Sequence, residues 1–432
     1  QSSQIGDNRL AAVSLNGSYN ALFSLFTASG DIKMPALPSV TDTEIYNTMA
    51  SLYDDNNATY ELTPKRQNII LFFLESWSGS LLQPYGAPVQ STPFFDTVLQ
   101  QSLHPIAAIA NGHRTTEGMF AALVSFQNPL EKTVAKTRLQ DFEYHSLIDI
   151  LNANGYSSAF FQGTAKETSG TGSLAQKLGF KKSYGKEDVT TRRYETNYWG
   201  IHDQDLYTFA FNKLKHLKEP FVLGINGATT HDDKIPSSVK KIAFVDDEKQ
   251  NNRLNALHFS DAALREFVSD VKAKFPNTLF VFFADHCGGG QAGNFNNFLI
   301  PLAFYGSGIQ PHTVDHFASQ RDIAPTVLDL VLGDYKKLAP DFSGKSLARD
   351  THFFADYFRN GVFGWIENKR LIEYNPAADA TACFDVSSPL PIPVTCTALE
   401  KRYKKHALSF GNISQKLLFQ GKTGNFHQYR FH

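Results

Sequence analysis

The sequence predicts an α/β fold in which a mostly parallel central sheet is flanked by helices and followed by a small α+β C-terminal subdomain. Apolar runs of strand length alternate with helical segments from Asn68 to residue 332, which is typical of parallel sheets. The runs within 68–75 and 278–284 are continuously apolar, as expected for strands buried on both faces. After Leu347 the pattern changes to short strands joined by turns, which indicates an antiparallel meander.

The elements of the main sheet follow in order. Strands are predicted at 68–75, 104–110, 157–162, 220–226, 278–284 and 300–305. Helices are predicted at 93–102, 115–125, 144–154, 173–178, 203–216, 251–274 and 322–332. The segment Thr164–Gly172 is rich in Thr, Ser and Gly and predicts a mobile loop on the substrate side.

A chain of 432 residues exceeds a single small domain, and the pattern divides it into three regions. Residues 1–65 form a predicted connector, with helices at 16–26 and 42–53. Residues 66–350 form the main domain. Residues 351–432 form the C-terminal subdomain, with strands at 353–357, 361–367 and 369–374, a turn at Asn368-Lys369, and helices at 397–408 and 414–420.

Composition narrows the classes of function. A net charge of −1 and a pI near 7.0 give no reason to expect nucleic acid as a partner. Cys383 and Cys396 flank a Pro-rich loop and either close a small disulfide in an oxidising compartment or remain two buried thiols. Cys287 has no CxxC partner and is predicted to be a small buried residue of a turn.

Two strands end in side chains that suit a metal ion. The strand 278–284 leads into Asp285 and His286 and then a glycine-rich turn, and the strand 68–75 ends on Glu75. Functional groups of open α/β sheets collect at the carboxyl ends of parallel strands. A carboxylate at the tip of a buried strand is costly unless it is paired or bound to a cation. Carboxylates and an imidazole together suit Mn²⁺ or Zn²⁺.

A third segment supplies a hydroxyl. Asn111 and Gly112 are turn residues, and a helix is predicted to begin near Thr115. Free amides and the dipole at a helix N-terminus favour an anion, so a threonine there is a candidate nucleophile if a metal lowers its pKa. Capping the helix is the alternative role for Thr115 or Thr116, and the spacing alone does not decide between them.

These segments resemble a known family. Glu75, the segment Arg114-Thr-Thr-Glu-Gly118 and the segment Ala284-Asp-His286 occur in the order found in the alkaline phosphatase/sulfatase superfamily. More narrowly, the chain resembles the extracellular catalytic domain of lipoteichoic acid synthases and related membrane phosphoglycerol transferases. Further matches are Ser91-Thr-Pro-Phe-Phe-Asp96, Trp199-Gly-Ile-His-Asp203, Thr229-Thr-His231, Leu254–Phe267 and Gly344-Lys-Ser-Leu347.

The resemblance implies a sulfatase-like main domain and phosphotransfer with one divalent metal ion through a covalent intermediate. Glu75, Thr115, Asp285 and His286 would hold the metal, which we expect to be Mn²⁺, with Zn²⁺ and Mg²⁺ as alternatives. Thr115 would be the nucleophile, with Thr116 as the alternative. His231 would contact the substrate phosphate or act as an acid/base, and Arg114 would help to hold the phosphate.

The chain also departs from its relatives. No Cys/Ser-x-Pro/Ala-x-Arg signature surrounds Thr115, so sulfate ester hydrolysis through a formylglycine is not expected. Lipoteichoic acid synthases carry a His-Gly step followed by Trp and Arg that grip the glycerol phosphate. Here the corresponding stretch begins Phe161-Gln-Gly-Thr, which makes Gln162, Thr164 and Lys166 candidates for a different head-group or acceptor pocket.

The resulting hypothesis is a phosphotransferase that moves a phosphoglycerol-type head group from a membrane phospholipid to a glycan or glycolipid acceptor. The alternatives are a phosphoethanolamine transferase or phosphodiesterase of the same superfamily, or an idle relative that only binds a head group. The family carries membrane helices before its catalytic domain. We therefore expect this chain to belong to a membrane-attached protein whose catalytic domain faces the periplasm or the cell exterior.

Overall fold

The computed structural model describes residues 32–54, 63–289, 293–388 and 390–430. The predicted helix at 16–26 lies outside the described residues. The predicted helix at 42–53 is confirmed as α1 (Asp42–Leu52), which the Thr41 hydroxyl caps by accepting the N–H of Glu44. None of the helices described is both long enough and apolar enough to cross a membrane.

The main sheet contains nine strands among the described residues. They are β1 (Asn68–Leu74), β2 (Leu103–Ile109), β3 (Ser157–Gln162), β4 (Lys182–Tyr184), β5 (Phe221–Asn226), β6 (Thr278–Ala284), β7 (Leu299–Ile300), β8 (Leu302–Gly306) and β9 (His312–Ser319). Their spatial order is β4-β3-β5-β1-β6-β8-β2-β7, and β9 pairs with β2. The pairs on either side of β1 are parallel, whereas β8 is antiparallel to both of its neighbours. The predicted mostly parallel sheet is therefore confirmed.

Helices cover the sheet. They are α2 (Pro93–Gln100), α3 (Thr115–Val124), α4 (Leu147–Ala153), α5 (Thr171–Lys177), α6 (Asp203–Leu214), α7 (Glu248–Lys274), α8 (Gly293–Asn296), α9 (Ile323–Val331) and α10 (Tyr335–Leu338). Part of the predicted mobile loop Thr164–Gly172 is instead helical, since Thr168–Gly170 forms a 3₁₀ turn and α5 begins at Thr171. Residues 170–172 are buried, because this turn packs into the body of the domain.

The centre of the core is the pairing of β1 with β6. Every residue of both strands is buried, as their continuous apolar sequences predict. The parallel register pairs Ile69 with Leu279 and continues to the pair Leu74 and Ala284. Both strands therefore end at the same level, and the residues that follow them lie side by side.

Two other strand predictions need correction. The predicted strand 300–305 is divided into β7 and β8 at Pro301, which has no N–H to donate to a ladder. The strand β9 was not predicted, because its sequence, His-Thr-Val-Asp-His-Phe-Ala-Ser, is mostly polar in its first half. Its polar residues are tolerated because β9 lies beside β2 near the margin of the sheet.

The C-terminal part contains a separate antiparallel sheet of five strands, in the order β10-β11-β12-β13-β14. These are β10 (Phe354–Arg359), β11 (Val362–Glu367), β12 (Arg370–Asn375), β13 (Ala380–Asp385) and β14 (Ile392–Val394). Asn368 and Lys369 both have positive φ, 48° and 59°, and form the predicted turn between β11 and β12. The small α+β C-terminal subdomain is thus confirmed, although the exact domain boundaries remain a prediction.

The two predicted C-terminal helices are wrong as separate elements. A single helix, α11 (Ala398–Phe419), runs through both and includes Gly411. The cost of a glycine inside a helix is about 1 kcal/mol. Burial of one face of α11, which includes Tyr403, Phe410 and Leu418, outweighs that cost.

The cysteines follow the sequence analysis. Cys383 and Cys396 form a disulfide, with their Cα atoms 5.4 Å apart, so the disulfide alternative is the one observed. Cys287 is a buried free thiol, as predicted, and its S–H lies 3.0 Å from the carbonyl oxygen of Leu299.

The carboxylate of Glu367 joins three parts of the C-terminal region. It lies 2.9 Å from Nε2 of His352 and 2.8 Å from Nδ1 of His406, and it accepts the indole N–H of Trp365 at 3.0 Å. Burial alone would raise the pKa of Glu367. The hydrogen bonds from His352, His406 and Trp365 outweigh burial and lower this pKa to about 2.

We predict that the Glu367 carboxylate makes the free energy of unfolding depend on pH. Because the pKa of Glu367 is lower in the folded state, its contribution is complete above its ordinary value near 4.5 and is lost as pH falls towards 2. Glu367→Gln should reduce the free energy of unfolding by about 2–3 kcal/mol at pH 7 and by less at pH 3. Urea titrations across this range measure it. A loss of stability in Glu367→Gln that does not change with pH would contradict the prediction. The matched control is Glu143→Gln, because the Glu143 side chain is 95% exposed.

Candidate metal and phosphate site

Glu75, Asp285 and His286 meet at the carboxyl ends of β1 and β6. Their ligand atoms all lie within 4.8 Å of one another. Nε2 of His286 is 3.4 Å from Oε1 of Glu75 and 3.5 Å from Oδ2 of Asp285. The structure therefore brings together three of the four metal ligands predicted from the sequence, while their role as ligands remains a prediction.

Backbone groups hold the Asp285 carboxylate. Its Oδ1 accepts the N–H of Ser76 at 3.0 Å and the N–H of His286 at 2.8 Å. Ser76 has a positive φ of 59°, which turns the chain sharply after Glu75, and its hydroxyl donates to Oε1 of Glu75 at 2.7 Å. The other oxygen of Asp285, Oδ2, is buried and has no hydrogen-bond partner among the described residues.

The charges of this cluster are strongly coupled. Burial and the neighbouring Glu75 carboxylate raise the pKa of Asp285. Burial opposes ionisation of Glu75 too, but the hydrogen bond and charge of His286, together with His231, lower the pKa of Glu75. Burial disfavours the His286 cation, whereas Asp285 and Glu75 favour it and raise the pKa of His286. Two carboxylates thus compete for one imidazole in a dry environment, and an added cation would relieve their repulsion.

The residues fit a divalent cation. Two carboxylates and an imidazole are ligands that Mn²⁺ and Zn²⁺ accept. Oδ2 of Asp285 is buried and makes no hydrogen bond among the described residues, its neighbour being Nε2 of His286 at 3.5 Å, and such an acceptor calls for an explanation. A metal ligand role supplies one.

Thr115 is the first residue of α3 and adjoins this cluster. Its hydroxyl donates to Oε2 of Glu75 at 3.4 Å. The approach of α3 depends on Gly118, because a Cβ at that position would overlap the carbonyl of Asp285. Thr116 is buried, and its hydroxyl pairs with that of Thr133 at 2.8 Å. The structure therefore places Thr115, and not Thr116, beside the carboxylates.

A buried amide network supports the turn before α3 from the C-terminal region. Asn128 donates to the carbonyl of Glu117 at 2.8 Å and to that of Asn111 at 3.3 Å. Gln415 of α11 donates in turn to the Asn128 carbonyl at 2.8 Å and to the side-chain oxygen of Gln127 at 2.9 Å. The backbone next to Thr115 is thus supported by Gln415, which lies 300 positions later than Thr115 in the chain.

His231 approaches Glu75 from the 3₁₀ turn Thr229–His231, which follows β5. Its Nε2 is 4.0 Å from Oε1 of Glu75. Its ring stacks on the indole of Trp199, with centroids 4.0 Å apart and an interplanar angle of 28°. The imidazole is thereby held with one nitrogen towards the cluster.

The four predicted substrate-binding residues make no hydrogen bond or ion pair with this cluster within the part of the chain that is described. Arg114 has a 57% exposed side chain and an ion pair with Glu117 at 3.6 Å. Gln162 is fully buried, and its amide donates to the Thr164 hydroxyl at 2.9 Å. Lys166 pairs with Asp188 at 3.1 Å. Arg114 is available to a ligand, whereas Gln162 and Thr164 bond to each other.

Sequence reasoning missed two residues at the site. Asn226, the last residue of β5, lies with its amide nitrogen 3.4 Å from Oε2 of Glu75. Arg253 of α7 donates to the Ser76 carbonyl at 3.4 Å and pairs with Asp233 at 3.6 Å. Asn226 has the same sequence signal as Glu75 and Asp285, because it is a polar residue at the end of a buried strand. Arg253 lies on a long polar helix, and no local pattern distinguishes it from a surface arginine.

Comparison with known proteins agrees with this fold. The Sulfatase family model matches residues 67–333, and the chain belongs to this family. Its structural neighbours lie in the alkaline phosphatase superfamily. A superfamily member from Vibrio parahaemolyticus superposes with a TM-score of 0.74 at 23% identity, covering 88% of this chain and 98% of that one. A lipoteichoic acid synthase from Listeria monocytogenes superposes with a TM-score of 0.71 at 16% identity, with the same coverage.

The similar sequences are named as enzymes. Lipoteichoic acid synthase 2 of Bacillus subtilis is 22% identical over 382 residues, which cover 80% of this chain and 57% of the synthase. Phosphoglycerol transferase I of Citrobacter koseri is 29% identical over 206 residues, which cover 43% of this chain and 26% of the transferase. The chain thus spans only part of each relative. The resemblance drawn from the sequence motifs is confirmed.

We predict opposite effects of Asp285→Asn with and without metal. Removing one of two buried carboxylates should stabilise the metal-free protein by about 1 kcal/mol. Mn²⁺ at about 100 times its Kd should stabilise the wild type by about 2.7 kcal/mol, and the variant much less. Thermal unfolding with and without Mn²⁺ measures both. Asp270→Asn, on the exposed face of α7, is the control, and a wild type insensitive to Mn²⁺, Zn²⁺ and Mg²⁺ would contradict the prediction.

Proposed function

We propose that the protein is a metal-dependent phosphotransferase that moves a phosphoglycerol-type head group from a membrane phospholipid to a glycan or glycolipid acceptor. The observation that carries the proposal is the Thr115 hydroxyl at the N-terminus of α3, 3.4 Å from a carboxylate of the buried Glu75, Asp285 and His286 cluster. The names of the similar proteins, phosphoglycerol transferase and lipoteichoic acid synthase, support the head group.

Glu75, Thr115, Asp285 and His286 would hold one divalent ion, which we expect to be Mn²⁺. When bound, this ion would lower the pKa of the Thr115 hydroxyl and offset negative charge on the phosphoryl group. The first amides of α3 add a favourable field for an anion next to Thr115. The exposed guanidinium of Arg114 is available to a non-bridging phosphate oxygen.

The reaction has two half-reactions. In the first, Oγ1 of Thr115 forms a bond to the donor phosphorus while the bond from phosphorus to the diacylglycerol oxygen breaks. One proton passes in net from Thr115 to the released diacylglycerol. In the second, an acceptor hydroxyl forms a bond to the phosphorus, the bond to Thr115 breaks, and the acceptor proton returns to Thr115.

His231 suits both proton transfers. It is partly exposed, whereas His286 is enclosed between two carboxylates. Nε2 of His231 faces the cluster from the side of β5. It would donate a proton to the leaving oxygen in the first half-reaction and accept one from the acceptor hydroxyl in the second.

The disulfide supports the location. Cys383–Cys396 is typical of an oxidising compartment, which agrees with a catalytic domain in the periplasm or at the cell exterior. Attachment to the membrane through an N-terminal region is part of the proposal and follows from the family resemblance. The net charge of −1 gives no reason to expect nucleic acid as a substrate.

A second candidate is a relative that binds a head group without turnover. The observation that favours it is Gln162, which takes the place of a substrate-gripping histidine of lipoteichoic acid synthases and bonds within its own loop, to Thr164 and the Ala165 carbonyl. A phosphoethanolamine transferase or a phosphodiesterase would use the same Thr115 chemistry with a different head group or with water. Our candidates for the residues that select the head group or the acceptor remain Gln162, Thr164 and Lys166.

We predict that Thr115→Ala abolishes the covalent intermediate. Wild-type protein with Mn²⁺ and phosphatidylglycerol vesicles should gain the mass of one phosphoglycerol group and release diacylglycerol. Thr115→Ala should lose the adduct and reduce turnover by ~10³-fold or more. Intact-protein mass spectrometry measures the adduct. Thr116→Ala is the matched control, and an adduct that persists in Thr115→Ala but not in Thr116→Ala would reverse the assignment.

A further inference from the structure

The loop 190–200 carries two exposed aromatic rings at the rim of the site. Tyr198 is 83% exposed and Trp199 is 37% exposed, although large apolar side chains usually favour the core. Their rings are perpendicular, at 88°, with centroids 5.3 Å apart. The two rings therefore meet edge to face, and each keeps part of its surface open to solvent. We call this pair of rings the aromatic corner.

The aromatic corner is built into the fold. The side-chain oxygen of Asn197 accepts the N–H of Trp199 at 3.0 Å and that of Gly200 at 2.7 Å. Its amide donates to the carbonyl of Ala228, in the segment that leads to His231, at 3.1 Å. Gly200 forms an antiparallel bridge with Thr164, and a Cβ on Gly200 would overlap the Gly163 carbonyl. The rings are thus presented by a fixed backbone.

The aromatic corner borders the reacting groups. Trp199 stacks on His231, and Nε2 of His231 is 4.0 Å from a Glu75 oxygen. A ligand packed on the free surface of the corner would lie beside the imidazole that we assign to proton transfer. No Lys or Arg among the described residues lies over the ring of Tyr198 or Trp199, whereas Arg193 lies over the ring of Tyr194 in the same loop. The corner is left open to a neutral partner.

We propose that the aromatic corner is the acceptor subsite and that it binds a neutral sugar ring of a glycan. The negative face of an aromatic ring attracts the C–H groups of a pyranose face, and the ring excludes water from it. A sugar held there would turn its hydroxyl groups towards His231 and the phosphoryl group on Thr115. This inference rests on the proposed function and names the acceptor class for it.

The surroundings favour a sugar over a lipid surface. Charges of both signs lie near the corner: Arg192, Arg193 and Glu195 precede it in the same loop, and Asp232, Asp233 and Lys234 follow His231, with no run of several adjacent Lys and Arg residues. An anionic membrane surface is usually met by several adjacent Lys and Arg residues. Glu195 is already engaged, since it accepts the N–H of Ser237 at 2.7 Å.

The positions of the tryptophans allow a direct binding test. The chain has three, and Trp77 and Trp365 are fully buried, so Trp199 is the one that a solute reaches. A neutral glucose tetrasaccharide should change the emission of Trp199, and Trp199→Phe should lose this signal. Tyr198→Ala should weaken binding about tenfold, which corresponds to about 1.4 kcal/mol. Tyr46→Ala, at an exposed tyrosine of α1, is the matched control and should bind like the wild type.

The same variants test the subsite in turnover. With Mn²⁺, phosphatidylglycerol and the tetrasaccharide, the ratio of phosphoglycerol transferred to sugar over that released to water should fall about tenfold in Tyr198→Ala. Trp199→Phe should retain more transfer than Trp199→Ala. Thermal unfolding verifies that each variant is folded.

The outcomes separate the two proposals. If the sugar changes the emission but the protein never forms the Thr115 adduct, the sugar site is upheld and the phosphotransferase proposal is rejected. Adduct formation without an emission change, and with an unaltered transfer ratio in Tyr198→Ala, would reject the subsite alone. Emission that responds to phosphatidylglycerol vesicles but not to the tetrasaccharide would replace the sugar by a lipid surface and overturn the inference.

Discussion

The parallel pairing of β1 with β6 is the constraint on which the site depends. It fixes two buried strands so that they end together, and the next residues, Glu75 and Asp285, carry acids. Neither acid can move away without breaking a ladder of fully buried residues. The cost of holding two carboxylates so close in a dry interior is met in part by His286 and by backbone N–H groups. The remaining imbalance of charge is what the proposed cation would offset.

The other site elements are placed by close packing onto this pair. α3 reaches Asp285 because Gly118 has no side chain, and the turn with His231 follows β5, the other parallel neighbour of β1. The Thr115 hydroxyl therefore lies near Oε2 of Glu75, and the His231 imidazole lies near Oε1. Such an arrangement brings the proposed nucleophile and the proposed acid/base to the same carboxylate, as the proposed transfer requires.

Much of this could be predicted from sequence, for identifiable reasons. The short apolar runs of β1 and β6 are flanked by turn residues, which favours buried strands. Polar residues that follow such strands lie close together because parallel strands end at the same edge of the sheet. Arg253 could not be predicted, because its proximity to Ser76 depends on how α7 crosses the sheet. The continuity of α11 through Gly411 could not be predicted either, because burial of the helix outweighs the low helix propensity of glycine.

The buried amides that join Gln415 to Asn128 have a consequence for how the protein behaves as a whole. Separating the chain near residue 350 would deprive the Gln127 side-chain oxygen and the Asn128 carbonyl of the Gln415 amide in a buried place, next to the turn that positions Thr115. The C-terminal sheet and helix are therefore structural parts of the site. We expect the main domain and the C-terminal region to unfold in one cooperative transition. A substitution that destabilises α11 should therefore disturb the position of Thr115, as a substitution in α3 would.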